Sequence, residues 1–320
     1  MSRDRNSKAF NYGSQFAILI GLILGGFAVG TMISVIAWLM MTGRPILAMA
    51  TDMLKPQYYN AIMAIQVIST FCLFFVPVFF LAVICYRKPA KFLGFNTNIN
   101  YKQILLLLGI LILTFPLSGA LAELNKVIPI PAKWATRFKL IEDARAAQEA
   151  ALININSFSR YIISLVVIGL LPGLFEEIGF RAGLQNIFTR WFRSPAIAII
   201  LTAIIFSLVH ISYYGFLVRF ALGIILGLVF YYSGNIWLGV LLHFLYNGLQ
   251  VTALYMFTIS GIKPQKDIEE NFPVWAGVVA LGFIVYLFIR FRETSLSQKA
   301  KIVEEDFPDD DFHDWATAQS

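Results

Sequence analysis

The sequence predicts an all-α polytopic membrane protein of about eight transmembrane helices with both termini cytoplasmic. Three observations carry that prediction. Apolar residues (AVILMFWYC) make up 58% of the 320 residues and charged residues 14%, whereas soluble chains hold roughly 45–50% apolar residues even with glycine counted, and about 25% charged. So much apolar surface cannot be hidden inside one globule of this size, so most of it faces lipid. Eight runs, at 16–41, 61–85, 104–122, 161–181 or beyond, 195–212, 216–233, 236–257 and 273–291, approach or exceed the roughly 20 apolar residues that a bilayer crossing needs. Four basic clusters fall on one side when these runs are threaded in order, and the positive-inside rule makes that side cytoplasmic.

Each run has its own support. The first follows Arg3, Arg5 and Lys8, and its 26 residues exceed a signal-peptide core of about 7–15. Its Gly21, Gly25, Gly26 and Gly30 have the small-xxx-small spacing of close helix packing. The second holds Cys72 and Cys85, without metal-ligand spacing, as small buried hydrophobes, and Arg87, Lys88, Lys91 and Lys102 follow it. After the third, residues 125–156 contain Ile128-Pro129-Ile130-Pro131 and then a stretch from 139 to 151 with Leu140, Ile141, Ala144 and Ala147 on one face. That pattern predicts an amphipathic helix on the outer surface. The fourth run carries Pro172 and Gly173, which can kink it and admit water, and ends on Arg190 and Arg193. Gly223 and Gly227 repeat the packing spacing in the sixth, and Arg290, Arg292, Lys299 and Lys301 follow the eighth.

The organisation that follows has a cytoplasmic N-terminus at 1–15, a three-helix membrane region at 16–122 and an extracytoplasmic loop with an amphipathic helix at 123–157. A core at 158–258 precedes the last loop and helix at 259–292, and an acidic disordered cytoplasmic tail fills 293–320. The net charge is +6, but the eight acids and two bases from Glu293 onward leave residues 1–292 at +12. Because the bases sit in short loops, they are a topology signal and not a nucleic-acid footprint. The expected partners are membrane lipid, a membrane-associated protein or peptide, and a protein that the tail recruits. His313 belongs to the tail and receives no chemical role.

Few ionisable residues remain at depth: Glu176, Glu177, Arg181, His210, Arg219 and His243, with Asn247 beside them. A charge there costs at least about 2.5 kcal/mol, so each needs a partner, a wet cavity or a task. Glu177 and Arg181 share a face at i,i+4, while Glu176 is turned about 100° away and left free to handle a proton. Phe206 with His210, and His243 with Asn247, repeat that spacing on two other helices. Glu177 lies 16 residues before Arg193 and His210 lies 17 after it, so an antiparallel hairpin sets them level. Arg219 has no such companion and is expected to snorkel to an interface.

Glu176-Glu177-Ile-Gly-Phe-Arg181, Phe206-Ser-Leu-Val-His210 and His243-Phe-Leu-Tyr-Asn247 resemble the EExxxR, FxxxH and HxxxN motifs of the CPBP intramembrane protease family. This family, also called the CAAX protease and bacteriocin-processing or Abi family, includes CAAX prenyl protease 2 and lysostaphin-resistance-A-like proteins. The resemblance covers residues 162–254 and implies a multi-pass enzyme of the bacterial cytoplasmic (inner) membrane that cuts peptide bonds in or near the bilayer. It implies that Glu176 is the general base, that Glu177 and Arg181 fix the site, that His210 holds water, and that His243 and Asn247 bind the oxyanion. Zinc on Glu177, His210 and His243 would suit a three-ligand catalytic site, and a metal-free glutamate mechanism suits the same residues equally. The chain lacks an HExxH signature and any feature tied to prenylated CAAX substrates. Two other classes stay open beside the protease. One is a non-catalytic scaffold or bacteriocin-immunity protein that binds a peptide in the same cavity. The other is a proton-coupled transporter, disfavoured because the polar residues cluster in spans four to seven.

Overall fold

The computed structural model describes residues 7–8, 10–152, 155–261 and 272–306, and among them it is helical apart from one isolated bridge between Ser7 and Tyr86. Helix α1 (Tyr12–Thr42) starts where the Asn11 side chain accepts the Ser14 N–H at 2.8 Å. It stops at Gly43, whose φ of 65° ends the helix in the left-handed conformation that glycine adopts without strain. The short α2 (Ile46–Asp52) caps the end of the bundle through Asp52, which takes Arg44 at 2.8 Å and Lys55 at 2.6 Å. Those two bases, Lys55 foremost, hold the Asp52 carboxyl below the usual carboxylate range. The second span joins α3 (Tyr59–Thr70), a π-helical turn at Phe71–Phe75 and α4 (Val76–Cys85).

After α5 (Pro89–Phe92), α6 (Tyr101–Val127) opens on a capping box between Asn100 and Gln103. The surface helix α7 (Ala132–Leu152) follows, longer than the 139–151 stretch that the apolar face marks. One continuous 35-residue helix, Phe158–Phe192, then carries α8 (Phe158–Ser164), α9 (Leu171–Glu177) and α10 (Asn186–Phe192). Between these lie π-helical stretches at Leu165–Leu170 and Ile178–Gln185. The last four helices are α11 (Pro195–Val209), α12 (Phe216–Ser233), α13 (Ile236–Ile259) and α14 (Val274–Asp306).

Among the described residues, seven helices are long and apolar enough to cross a membrane: α1, α3–α4, α6, α8–α10, α12, α13 and α14. The expected eighth crossing at 195–212 is shorter. Helix α11 has 15 residues, about 22 Å at 1.5 Å per residue against a hydrocarbon core of roughly 30 Å. It ends because His210 caps it and Ile211 takes φ 49°, which turns the chain into α12. The break foreseen at Pro172 and Gly173 is also absent, since the helix runs through them. The π stretch at Leu165–Leu170 comes just before Pro172, as the one at Phe71–Phe75 comes just before Pro77. The wider turn accommodates the missing proline donor within a continuous helix. At the C-terminal end, α14 continues through Glu293 to Asp306 where a disordered tail was expected from residue 293, because residues 293–306 are mostly good helix formers without proline or glycine. The rest of the tail, 307–320, lies outside the described residues, as do residues 1–6 and 9.

Burial is inverted relative to a soluble protein. Large apolar side chains such as Leu24, Phe27, Met40, Ile112, Val278 and Phe283 face outward, while apolar clusters, two of them large, fill the interior. One large cluster joins α1, α4, the long fourth helix and α11, and the other joins α6, α12, α13 and α14. Close packing uses particular glycines. A Cβ on Gly26 would meet the Cys72 carbonyl oxygen at 2.2 Å, whereas one on Gly21 or Gly25 would meet nothing within 4 Å. Both cysteines are buried free thiols.

Polar contacts tie the loops into two ends. At one, the Lys8 N–H donates to the Cys85 carbonyl at 2.8 Å, Arg190 sits over the Tyr86 and Phe92 rings, and Gln103 donates to Ser295 at 3.0 Å. At the other, Asn125 bridges the Tyr213 carbonyl and the Leu217 N–H at 2.9 and 3.0 Å. There α7 lies on the α11–α12 loop, with Phe138 stacked on Tyr213 at 4.9 Å and Ser212 donating to the Glu142 carboxylate at 3.1 Å.

Candidate active site

The end of α9 and the π stretch after it place Glu176, Glu177 and Arg181 in the interior. Glu177 and Arg181 are fully buried. Glu177 Oε1 lies 3.2 Å from Arg181 Nη1 and accepts from His243 Nδ1 at 3.0 Å. The other ring nitrogen of His243, Nε2, lies 3.9 Å from Glu176 Oε2. One imidazole therefore stands between two adjacent carboxylates. The Glu176 side chain keeps 12% of its surface, while Glu177 keeps none. Both carboxylates are buried, and Glu176, which the helical angle turns away from Arg181, is the less enclosed of the two.

His243 is set by α13, whose Gly239 comes so near the carboxylates that a Cβ there would lie 2.9 Å from Glu177 Oε2. Gly173 brings the two helices together in the same way, since its Cβ would lie 3.2 Å from the Phe244 backbone nitrogen. Asn247 is half-buried one turn beyond His243. From α11, Phe206 reaches into the centre. Its ring lies 4.9 Å from His210, 6.0 Å from His243 and 5.1 Å from Phe180. The Arg181 guanidinium sits 4.9 Å over its face. His210 stands 2.7 Å from the Phe206 carbonyl through Nδ1. A nitrogen facing a carbonyl must be the donor, so the neutral ring presents Nε2 as its acceptor.

The structure thus gathers Glu176, Glu177, Arg181 and His243 directly, and links His210 to them through Phe206. Among the described residues, no three His, Cys, Asp or Glu side chains group as a metal-ligand set. Glu177, which a zinc site would use, already faces Arg181 and His243. In this arrangement the donors do not fit a three-ligand zinc site. Arg219 folds back over the first turn of α12, against Gly215, and its Nη1 is buried, which does not match the snorkelling to an interface expected of it.

Several contributors escaped the sequence reading. Arg181 Nη2 donates to the Gly223 carbonyl at 3.3 Å and Gln185 Nε2 to the Gly227 carbonyl at 2.9 Å. Gly223 and Gly227 therefore accept hydrogen bonds from the glutamate-bearing helix as well as packing closely. Their spacing signalled only the packing. Gln185 could have been found four residues after Arg181, on the face that begins with Glu177.

No curated protein and no solved structure matches the chain. Residues 158–249 match a family model described as Type II CAAX prenyl endopeptidase Rce1-like. That segment, under a third of the chain, contains all six residues from Glu176 to Asn247, and through it the chain matches the same CPBP, or CAAX protease, family that its three motifs resemble.

Proposed function

We propose that this protein is an intramembrane endopeptidase that hydrolyses a peptide bond of a membrane-associated protein or peptide with water activated by Glu176. The observation that carries the reading is the unlike setting of two adjacent carboxylates on one imidazole. Glu177 is sealed against Arg181 and His243, while Glu176 keeps a small exposed part of its side chain. In the proposed reaction, Glu176 takes a proton as the water oxygen attacks the scissile carbonyl carbon. His210, with Nδ1 on the Phe206 carbonyl, orients that water through Nε2. The carbonyl oxygen becomes an oxyanion, and the His243 Nε2–H and the Asn247 amide stabilise it. Donation from Nε2 requires protons on both His243 nitrogens, with the Nδ1 proton held by Glu177. Collapse of the intermediate breaks the C–N bond, and Glu176 returns its proton to the leaving amine.

The reading needs no metal. The family description names a prenyl substrate, but the proposal for this chain stops at a membrane-associated protein or peptide. The test compares new protein termini in membranes of cells expressing wild type or Glu176→Gln at equal abundance. Termini found only with the wild type support the reading and identify substrates. Identical termini with both proteins folded favour the non-catalytic scaffold or immunity role instead.

A further inference from the structure

We propose that Gln185 is a positioning residue for the carboxylate pair: its hydrogen bond to the Gly227 carbonyl fixes the 171–185 segment against α12 and thereby sets Glu176 and Glu177 against His243. Glu177, Arg181 and Gln185 follow one another at intervals of four. Arg181 and Gln185 fasten to Gly223 and Gly227, which are also four apart on α12. Two attachments one turn apart on both helices fix rotation as well as height. One attachment would leave the segment free to pivot.

The segment needs such fastening because Ile178–Gln185 is π-helical. In a π turn each residue is rotated less than in an α-helix, so the faces before and after it are not locked by the regular repeat. Glu176 and Glu177 lie immediately before this turn, and Gln185 ends it. The contact also requires glycine on α12. A Cβ on Gly227 would come within 2.9 Å of Gln185 Oε1 and 3.0 Å of the Ile199 Cγ2. Gln185 is 2% exposed, and among the described residues its Oε1 has no hydrogen-bond partner. An apolar side chain of the same length would fill this site without burying an unpaired acceptor, so packing alone does not favour an amide here.

The test reads His243 directly. The chain has three histidines, so the imidazole nitrogen resonances of histidine-labelled full-length protein in nanodiscs can be assigned with His210→Gln and His313→Gln. Gln185→Met, which keeps length and loses the amide, should move the His243 resonances while leaving that of His313 in place. Gly227→Ala, which presses on the same contact from α12, should move the same resonances, and it serves where Gln185→Met does not fold. Cleavage of substrates identified from the new termini should show kcat lowered about tenfold or more with KM nearly unchanged. Unmoved His243 resonances in a folded variant overturn the proposal, as does a loss of activity that only tracks the folded fraction. The kinetic arm rests on the protease reading and the resonance arm does not. Shifted His243 resonances in a protein that cleaves nothing would leave the positioning role standing and remove the protease.

Discussion

Glu176 and Glu177 are chemically identical neighbours, so what separates them is the direction each faces. The 100° between consecutive helical positions gives Glu177 to Arg181 and His243 and leaves Glu176 the less enclosed of the two. That division was legible in the sequence because i,i+4 geometry is local. The Gly223 and Gly227 carbonyls and the central place of Phe206 were not, since they depend on which helices become neighbours. Arg181→Ala would strip a buried carboxylate of its cation, and breaking a buried pair in this way costs about 3–5 kcal/mol. A clear fall in the melting midpoint in detergent is therefore expected, and Arg181→Ala combined with Glu177→Gln should recover part of it by removing the stranded charge. A double variant no more stable than Arg181→Ala would show that Arg181 acts through its packing on Phe206 instead. At the same site, cleavage should persist after prolonged treatment with a strong chelator, because Glu177 is committed to Arg181 and His243. Loss that zinc restores would reverse the assignment of Glu177.

At the scale of the element, the hydrophobic runs gave the membrane helices almost directly, because bilayer thickness dictates their length whatever the tertiary contacts. What composition did not convey is how a helix adapts within itself. Pro172 in the fourth span suggested a kink, and a π turn precedes it within one continuous helix, as another precedes Pro77 in the second span. The short α11 still links the two ends of the bundle, but its helix stops at His210 and Ile211, before the end of the apolar run that marked it. Glycine spacing likewise announced close packing in α1 without saying which glycine makes it. Gly26→Ala would drive a methyl group into the Cys72 carbonyl, where a Cβ would stand at 2.2 Å, and Gly21→Ala meets nothing within 4 Å. Overpacking of that kind costs about 1–3 kcal/mol or more. Thermal unfolding of the two variants should therefore separate them, with Gly26→Ala lowered and Gly21→Ala at or slightly above wild type. Equal midpoints would mean that α1 shifts freely along α3–α4.

For the whole molecule, sidedness decides from which compartment a substrate arrives, and charge at the two ends of the bundle argues for one answer. The contacts of Lys8 with Cys85, of Arg190 with Tyr86 and Phe92, and of Gln103 with Ser295 bring the loops rich in Arg and Lys to one end. Among the described residues up to 298, that end carries Lys8, Arg87, Lys88, Lys91, Lys102, Arg190, Arg193, Arg290 and Arg292 with Glu293 as the one acid. The opposite end mixes bases with acids, among them Asp52 and Glu142. Short loops with a basic excess stay cytoplasmic, so the first end should face the cytosol and α7 the other side. The two native cysteines are buried, which makes the orientation measurable in a variant with both replaced by serine. Single cysteines at exposed Ser194-flanking Arg193 and at exposed Lys139 on α7 should then differ toward a membrane-impermeant thiol reagent applied to intact cells. Lys139→Cys should be labelled from outside and Arg193→Cys only after the membrane is opened. The reverse pattern would turn the bundle over and put the loop that follows His210, beneath α7, on the cytosolic side.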